Sequence, residues 1–182
     1  KKKEEFGFYF TVLSKRHLLD IEDVDKLIID NHYLETVHKI KNTDLGIDAV
    51  FIDNENSKIF LYNFKYKETY KAGQIDGTTV SDVSQFLQSL SALVSKRKKQ
   101  PLSDKYDLKD YTEKTKGVLK DLVEILVDET VKFKVEVVLV ANVEKKITIK
   151  SDILRAYKSL GVHTINQIVI ADIYPTIIRK SN

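Results

Sequence analysis

The alternation of apolar and polar residues predicts two helices at the start of the chain. Residues 4–19 carry apolar side chains at helical spacing, so we expect an amphipathic helix there. Asp20 is placed to cap a second helix over 21–30, whose acidic first turn suits the positive end of a helix dipole. Residues 32–41 fit either a strand or the end of a helix, and the pattern does not decide between them.

A β-hairpin is predicted next. Two apolar runs, 47–53 and 59–66, flank the polar turn Asn54–Ser57, which is the usual pattern of two antiparallel strands. Residues 67–79 contain two glycines and predict a loop.

The second half of the chain alternates helical and strand patterns. It predicts helices over 80–98 and 107–128, a helix ending at Gly161, and strands over 131–143 and 165–174. Pro101 separates the first two of these helices, and Pro175 stops the last strand. This order predicts an α/β domain with flanking helices, in which a mixed sheet joins an antiparallel hairpin to strands connected by helical crossovers.

Composition narrows the class of protein. The chain has 182 residues, of which 42% are hydrophobic and 31% charged, which predicts one folded domain over residues 1–182. The absence of cysteine excludes disulfides, thiolate metal ligands and a cysteine nucleophile. No apolar run reaches the length of a membrane span, so we expect no membrane partner and a cytoplasmic protein. The lack of any methionine predicts a fragment of a longer protein.

Local charge matters more than net charge. The net charge of +3 is too small to indicate nucleic acid by itself, but basic residues cluster at 1–3 and 96–99. Such clusters are most often solvated termini or helix ends. Contact with phosphates is the alternative.

Polar residues converge at one end of the predicted hairpin. Side chains alternate between the faces of a strand, so if Asp53 lies opposite Lys58, then Asp48 lies opposite Asn63. One face then gathers Asp48, Asn63 and Lys65 at the open end, beyond its apolar part. The other face carries the aromatic residues Phe60, Tyr62, Phe64 and Tyr66.

The aromatic face has two interpretations. A row of aromatic side chains can stack nucleobases, as on sheets that bind single strands. We favour packing beneath the helices over 80–98 and 107–128, with Tyr66 partly exposed.

An acid, an amide and a lysine in one place can hydrolyse a phosphodiester. A carboxylate and a second oxygen ligand can hold Mg²⁺, which needs few protein ligands. A nearby lysine can position or deprotonate the attacking water, or stabilise the negative transition state. The simpler alternative is a surface salt bridge between Asp48 and Lys65, which spacing alone favours.

The hairpin resembles a known nuclease motif. The order of an aspartate, a hairpin and then an acid two positions before a lysine is typical of the PD-(D/E)xK nuclease superfamily, and this hairpin resembles it. The residue pattern more closely resembles the N-terminal domain of the abortive-infection phage resistance (AIPR) family, where D-x-G-I-D-A precedes a strand ending in Q-x-K-Y. Here DLGIDA occupies 44–49 and FLYNFKY occupies 60–66.

The resemblance implies a restriction-endonuclease-like core with a Mg²⁺ site, which Mn²⁺ can also occupy. It makes Asp48, Asn63 and Lys65 the catalytic residues, with Asp48 and Asn63 as metal ligands. Asn63 stands where the superfamily has Glu, Asp or Gln, and its uncharged oxygen should bind metal more weakly than a carboxylate. In the superfamily a glutamate from the first helix often completes the metal shell, and Glu35 is our candidate because the glutamates at 4–5 lie too near the terminus.

Other residues have weaker assignments. Asp44 either contacts the metal ligands without binding the metal itself, or is a turn residue before Gly46, and we favour the turn. The histidines, with His32 and His38 closest to metal spacing, are expected to be structural. DNA contacts are expected from Gln85, Lys96, Arg97 and Lys98.

The sequence therefore predicts a hydrolase, a Mg²⁺-dependent DNA endonuclease acting in bacterial defence against phage. Two alternatives stay open: a relative that binds nucleic acid or a partner without cutting, and an interaction domain whose hairpin end is only a salt bridge. DNA is the expected partner. A homodimer is compatible with the sequence, which does not fix the oligomeric state.

Overall fold

A computed structural model describes residues 2–67, 73–94, 101–128 and 130–174. Its helices are α1 Lys2–His17, α2 Ile21–Leu27, α3 Asn31–Tyr33, α4 Thr78–Leu93, α5 Glu113–Val127, α6 Ser151–Ser159 and α7 Ile170–Ile173. Its strands are β1 Ala49–Asp53, β2 Lys58–Lys65, β3 Lys134–Ala141 and β4 Val162–Ile168. A π-helical turn, Leu34–His38, follows α3, and 3₁₀ turns occupy Leu102–Asp104 and Leu108–Asp110.

The first two helices are confirmed, and the ambiguous segment after them is helical. Asp20 caps α2 by accepting a hydrogen bond of 2.9 Å from the N–H of Asp23. α2 ends at Leu27, three residues before the predicted end. Asp30 caps α3 in the same way, because its carboxylate accepts a 2.6 Å bond from the N–H of Tyr33. This cap and the π-helical turn account for residues 32–38 as helix rather than strand.

The hairpin has the predicted register. β1 and β2 are antiparallel, with Asp53 opposite Lys58 and Ala49 opposite Tyr62. The turn between the strands is closed by Asp53, whose carboxylate accepts hydrogen bonds from the backbone and side-chain nitrogens of Asn56 at 2.9 and 2.8 Å.

The described sheet has four strands in the order β1-β2-β3-β4. β2, β3 and β4 are mutually parallel, so the mixed sheet and the helical crossovers are confirmed. The last strand was placed too late: it covers Val162–Ile168, and the following residues form α7. The carboxylate of Asp172 accepts a 3.0 Å bond from the N–H of Val169, which stabilises this turn of helix instead of more strand.

The predicted helix over 107–128 begins later than expected. The side chain of Thr112 accepts a 3.1 Å hydrogen bond from the N–H of Thr115, and this cap fixes the start of α5 at Glu113. The strand predicted over 131–143 is shorter at both ends, as β3.

Each face of the sheet is covered by a different set of helices. Ile59 and Leu61 of β2 are fully buried on the face that packs against α4 and α5. The aromatic residues of β2 pack against α1 on the opposite face, where the rings of Tyr9 and Phe64 stack at 4.3 Å. The prediction that α4 and α5 cover the aromatic face is therefore wrong, although Tyr66 is partly exposed as expected. The alternation of side chains along a strand assigns residues to the two faces of the sheet, but it does not determine which helices cover each face.

Candidate functional site

Asp48 lies where the regular pairing of β1 with β2 ends. Its N–H donates to the carbonyl of Tyr62 at 2.7 Å, and its carboxylate accepts a hydrogen bond from the N–H of Phe64. The regular ladder stops at Ala49, so the carboxylate takes the place of a strand carbonyl. The side chain is only 7% exposed, which makes Asp48 an interior acid.

A second acid, Asp30, lies against Asp48 and was not predicted. Its N–H donates to the carbonyl of Asp48 at 3.0 Å, beside a matching bond of 2.8 Å from the N–H of Ile29. The carboxyl groups of the two residues are close enough to affect each other's pKa. Both side chains are buried, so the interior holds a pair of carboxyl groups.

Burial and mutual repulsion disfavour two negative charges in this pair. Burial raises the pKa of Asp48 well above its ordinary value, and the charge of Asp30 raises it further; the Phe64 N–H and Lys65 act in the opposite direction. Burial also raises the pKa of Asp30, against the hydrogen bonds from Tyr33 and Asp48. The pair therefore binds a proton more readily than two exposed aspartates.

The acidic interior extends toward α1. The hydroxyl of Tyr9 donates to the Oε1 atom of Glu5 at 3.1 Å. Burial raises the pKa of Tyr9, and the charges of Asp48, Asp30 and Glu5 add to that effect. Glu5, which we had set aside as too close to the terminus, thus belongs to the surroundings of the carboxyl pair.

Asn63 is an interior amide with one unused oxygen. The residue is 1% exposed, and its Nδ2 donates to the carbonyl of Gly46 at 2.9 Å. Its Oδ1 has no hydrogen-bond partner among the described residues. A buried acceptor without a partner costs free energy, on the order of 1–3 kcal/mol. The interior therefore contains an amide oxygen whose hydrogen-bonding capacity is unused among the described residues.

Gly46 lets the turn before Asp48 touch α4. Its φ is +79°, and a Cβ at this position would lie 2.5 Å from the carbonyl oxygen of Asp82. Only glycine fits this combination of backbone angle and close approach. The carboxylate of Asp44 accepts a 2.7 Å bond from the N–H of Gly46, so the interpretation of Asp44 as a turn residue is confirmed.

Lys65 forms an ion pair with Asp82 of α4, not with Asp48. Its Nζ lies 2.9 Å from Oδ2 of Asp82, and the two side chains are 35% and 38% exposed. Burial alone would lower the pKa of Lys65, but the hydrogen bond to Asp82 and the charges of Asp82, Asp48 and Asp44 raise it. Lys65 is therefore a cation at neutral pH. Asp82 was not predicted, because no motif connects it with the hairpin.

The remaining predicted residues lie farther out or cannot be placed. Glu35 is exposed on the π-helical turn, and the acid next to Asp48 is Asp30 instead. Gln85 is exposed on α4, one turn after Asp82. The basic residues Lys96, Arg97 and Lys98 lie outside the described residues.

The histidines have structural contacts. His17 packs between aromatic rings, with its Nε2 2.6 Å from the hydroxyl of Tyr62. His32 lies against the ring of Phe6. The Nε2 of His38 lies 3.0 Å from Asp25. In the part of the chain that the structure describes, no three His, Cys, Asp or Glu side chains are grouped so that they could hold a metal ion.

Comparison with known proteins adds no relative. No protein-family model matches the chain, and no curated protein or solved structure gives a significant match. The resemblance to PD-(D/E)xK and AIPR proteins, and the restriction-endonuclease-like core that it implies, therefore stay predictions. Within the described ranges no helix has the length and apolar character needed to cross a membrane.

Proposed function

We propose that the open end of the hairpin binds Mg²⁺ or Mn²⁺ and hydrolyses DNA phosphodiester bonds. One observation carries this proposal: two buried acids, Asp30 and Asp48, interact electrostatically at the end of the hairpin that also holds Asn63, a buried amide whose oxygen has no partner among the described residues. Such an arrangement is unfavourable at neutral pH unless a proton or a cation neutralises it.

The residues present suit a hard divalent cation. Carboxylate and amide oxygens are the ligands that Mg²⁺ prefers, and Mg²⁺ retains waters, so two or three protein ligands suffice. Asp48 and the Oδ1 of Asn63 would hold the ion, with Asp30 taking the place that we had assigned to Glu35. When bound, the ion would supply a Lewis acid that polarises the phosphoryl group.

Lys65 would act as a cation rather than as a base. The pKa of its ammonium is raised by the surrounding carboxylates, despite the opposing effect of burial. A protonated lysine can stabilise the negative charge that develops on a phosphoryl oxygen, but it cannot accept a proton from water. Asp82 holds Lys65 near the end of β2, and substrate would have to compete with this partly exposed ion pair.

DNA as the substrate, and phage defence as the setting, rest on the motif resemblance at 44–49 and 60–66. Phosphate contacts from Gln85 and the basic cluster at 96–99 belong to the same proposal and would give salt-dependent affinity.

The second candidate is a protein that binds nucleic acid or a partner without cutting. It is favoured by the structural bonds that the site residues already make. The Asp48 carboxylate completes the strand pairing at Phe64, and Lys65 is paired with Asp82. Asn63 also lacks the charge that a carboxylate ligand would provide.

Plasmid cleavage with matched variants tests the proposal. Wild-type protein, Asp48→Ala and Lys58→Ala are incubated with supercoiled plasmid and either Mg²⁺, Mn²⁺ or EDTA. Lys58 is the control because it lies on the same strand but at the opposite end of the hairpin. We expect metal-dependent nicking by wild type and Lys58→Ala only. Equal nicking by wild type and Asp48→Ala would indicate contamination and overturn the nuclease assignment.

A further inference from the structure

A second cluster of reactive side chains lies away from the hairpin. A pocket of about 470 Å³ is bordered by α2, the π-helical turn and the start of α5. Leu34 and Ile40 give it apolar walls, and Lys114 and His38 also line it. It shares no residue with the carboxyl pair or with the Lys65–Asp82 ion pair.

We propose that Lys114 is the reactive amine of a separate binding site, which captures a small neutral carbonyl compound as a Schiff base. This inference is independent of the nuclease proposal. The class of ligand follows from the walls of the pocket. With Lys114 neutral, the two acids Asp25 and Glu113 outnumber the cation Lys26, so the lining does not attract an anion. A neutral compound with an apolar body fits this lining best.

The position of Lys114 favours its neutral, nucleophilic form. The residue is in the first turn of α5, where the helix dipole disfavours a cation. Burial lowers the pKa of its ammonium, and the charge of Asp25 offsets this only in part. Its Nζ donates to the backbone carbonyl of Asp25 at 2.5 Å, which holds the amine at the wall of the pocket. A lysine must lose its proton before it can attack a carbonyl carbon.

His38 is placed to move protons in this pocket. Its Nε2 lies 3.0 Å from Oδ1 of Asp25, and the hydroxyl of Tyr33 donates to the same oxygen. If Nε2–H donates to Asp25, then the Nδ1 atom is the nitrogen that takes up and gives back a proton. An acid that orients a histidine in this way is a recurring feature of proton-transfer sites.

The proposed reaction needs no oxidant or further reactant. The neutral Nζ of Lys114 attacks the carbonyl carbon, a C–N bond forms, and the carbonyl oxygen becomes a hydroxyl by taking a proton that the nitrogen releases. The Nδ1 atom of His38 takes the second proton from the nitrogen and passes it to this hydroxyl, which leaves as water while the C=N bond forms. One water is released for each Schiff base, and hydrolysis reverses the reaction.

Reductive trapping tests this proposal. The whole chain is incubated with benzaldehyde and cyanoborohydride, and labelling of each lysine is followed by peptide mass spectrometry. Lys116 is the control, because it lies two residues further along α5 and is paired with Glu113. We expect Lys114 to be labelled at least 10-fold faster than Lys116. In His38→Gln, labelling of Lys114 should slow several-fold, while that of Lys116 should stay unchanged.

Two results would overturn the proposal. The first is labelling of Lys114 at or below the rate of Lys116, which would mean that the amine has no special reactivity. The second is faster labelling by 4-carboxybenzaldehyde than by benzaldehyde, which would show that the pocket selects an anion. An unchanged rate at Lys114 in His38→Gln would remove His38 from the reaction.

Discussion

Each end of the hairpin carries an aspartate, an asparagine and a lysine, but the pKa of the aspartate is shifted in opposite directions at the two ends. The closed end has Asp53, Asn56 and Lys58, and the open end has Asp48, Asn63 and Lys65. At the closed end the side chain and backbone N–H of Asn56 lower the pKa of Asp53. At the open end burial raises the pKa of Asp48. Residue type therefore does not identify a site; burial and neighbours do.

The difference arises from what packs against each end. The closed end projects as an exposed turn, where water and Asn56 solvate the acid. The open end is enclosed by the segment that contains Asp30 and by the first turns of α4. Asp48 and Asn63 are buried there without a full set of hydrogen-bond partners. This is the physical basis for expecting a cation at one end only.

The largest expected difference between the two ends appears when the lysine of each end is replaced by alanine. Lys65→Ala should reduce metal-dependent plasmid cleavage by at least about 100-fold, the usual loss when one charge-stabilising group is removed. The fold should survive, because a partly exposed ion pair contributes about 0–1 kcal/mol. Lys58→Ala should cleave at the wild-type rate. Cleavage by Lys65→Ala at the wild-type rate would exclude Lys65 from catalysis.

The contact between the open end and α4 can be broken at Gly46. Gly46→Ala forces an L-residue to a φ of +79° and against the Asp82 carbonyl. We expect a loss of about 1–3 kcal/mol of unfolding free energy in urea titrations. Gly117 is the matched control, since a Cβ there meets nothing within 4 Å on α5. Gly117→Ala should instead stabilise by about 0.5–1 kcal/mol.

The sequence predicted the hairpin well because its information is local. Alternation assigns the faces, and the polar turn sets the register, so Asp53 opposite Lys58 followed directly. The strands joined by crossovers were also recognisable as buried apolar runs. The late placement of the last strand arose because Ile170–Ile173 is apolar in either state, and only the Asp172 side chain decides for helix.

The electrostatics of the open end could not be predicted in the same way. Asp30 and Asp82 lie on different elements, and their approach to Asp48 and Lys65 is a result of packing rather than of spacing. Asp30 follows an acidic helical segment, where an aspartate is typical of a helix cap, and it does cap α3. A signal did exist for Glu5, which occupies the first helix, where the resemblance places a ligand.

Replacing an aspartate at each end should change the stability of the protein with opposite dependence on pH. A carboxyl whose pKa is raised by folding stabilises the protein below the unfolded pKa of about 3.8, and this stability is lost as pH rises through the folded value. Asp30→Asn should therefore become more stable than wild type as pH increases toward 8. Asparagine can still accept the capping bond at α3.

Asp53→Asn should behave in the opposite way. Its lowered pKa contributes stability above about 3.8 that is lost as pH falls through the folded value. The variant should therefore become less stable than wild type as pH increases. Urea midpoints measured relative to wild type at each pH remove the pH dependence that each variant shares with wild type; the charge of Asp53 also acts on His17, whose pKa burial lowers to about 4, so His17→Gln serves as the background for both variants. Equal slopes for the two variants would contradict the assignment of the buried pair.

The smallest expected effect is the change in metal affinity when the open end gains a third carboxylate. Asn63→Glu should bind Mg²⁺ more tightly than wild type, because carboxylates are stronger ligands than amides. At Mg²⁺ ten times above the dissociation constant, binding adds about 1.4 kcal/mol. That is a rise of about 3–6 °C in melting temperature for a domain of this size. Activity need not increase, since a tighter or displaced ion can hold Lys65 away from the phosphoryl oxygen.

Two further variants decide what such a rise means. In Asn63→Glu combined with Asp48→Ala the Mg²⁺-dependent rise should disappear, because the proposed site depends on the Asp48 carboxylate, which Asp30 and the new glutamate do not replace. Asn56→Glu adds a carboxylate beside Asp53 at the closed end, where both acids are solvated and no cation is required, so Mg²⁺ should leave its melting temperature unchanged. A rise confined to Asn63→Glu and, to a smaller extent, wild type supports a metal site formed by the fold. No rise in any variant would leave the open end as a structural cap for β2, with the same residue types as the closed end and no further chemistry.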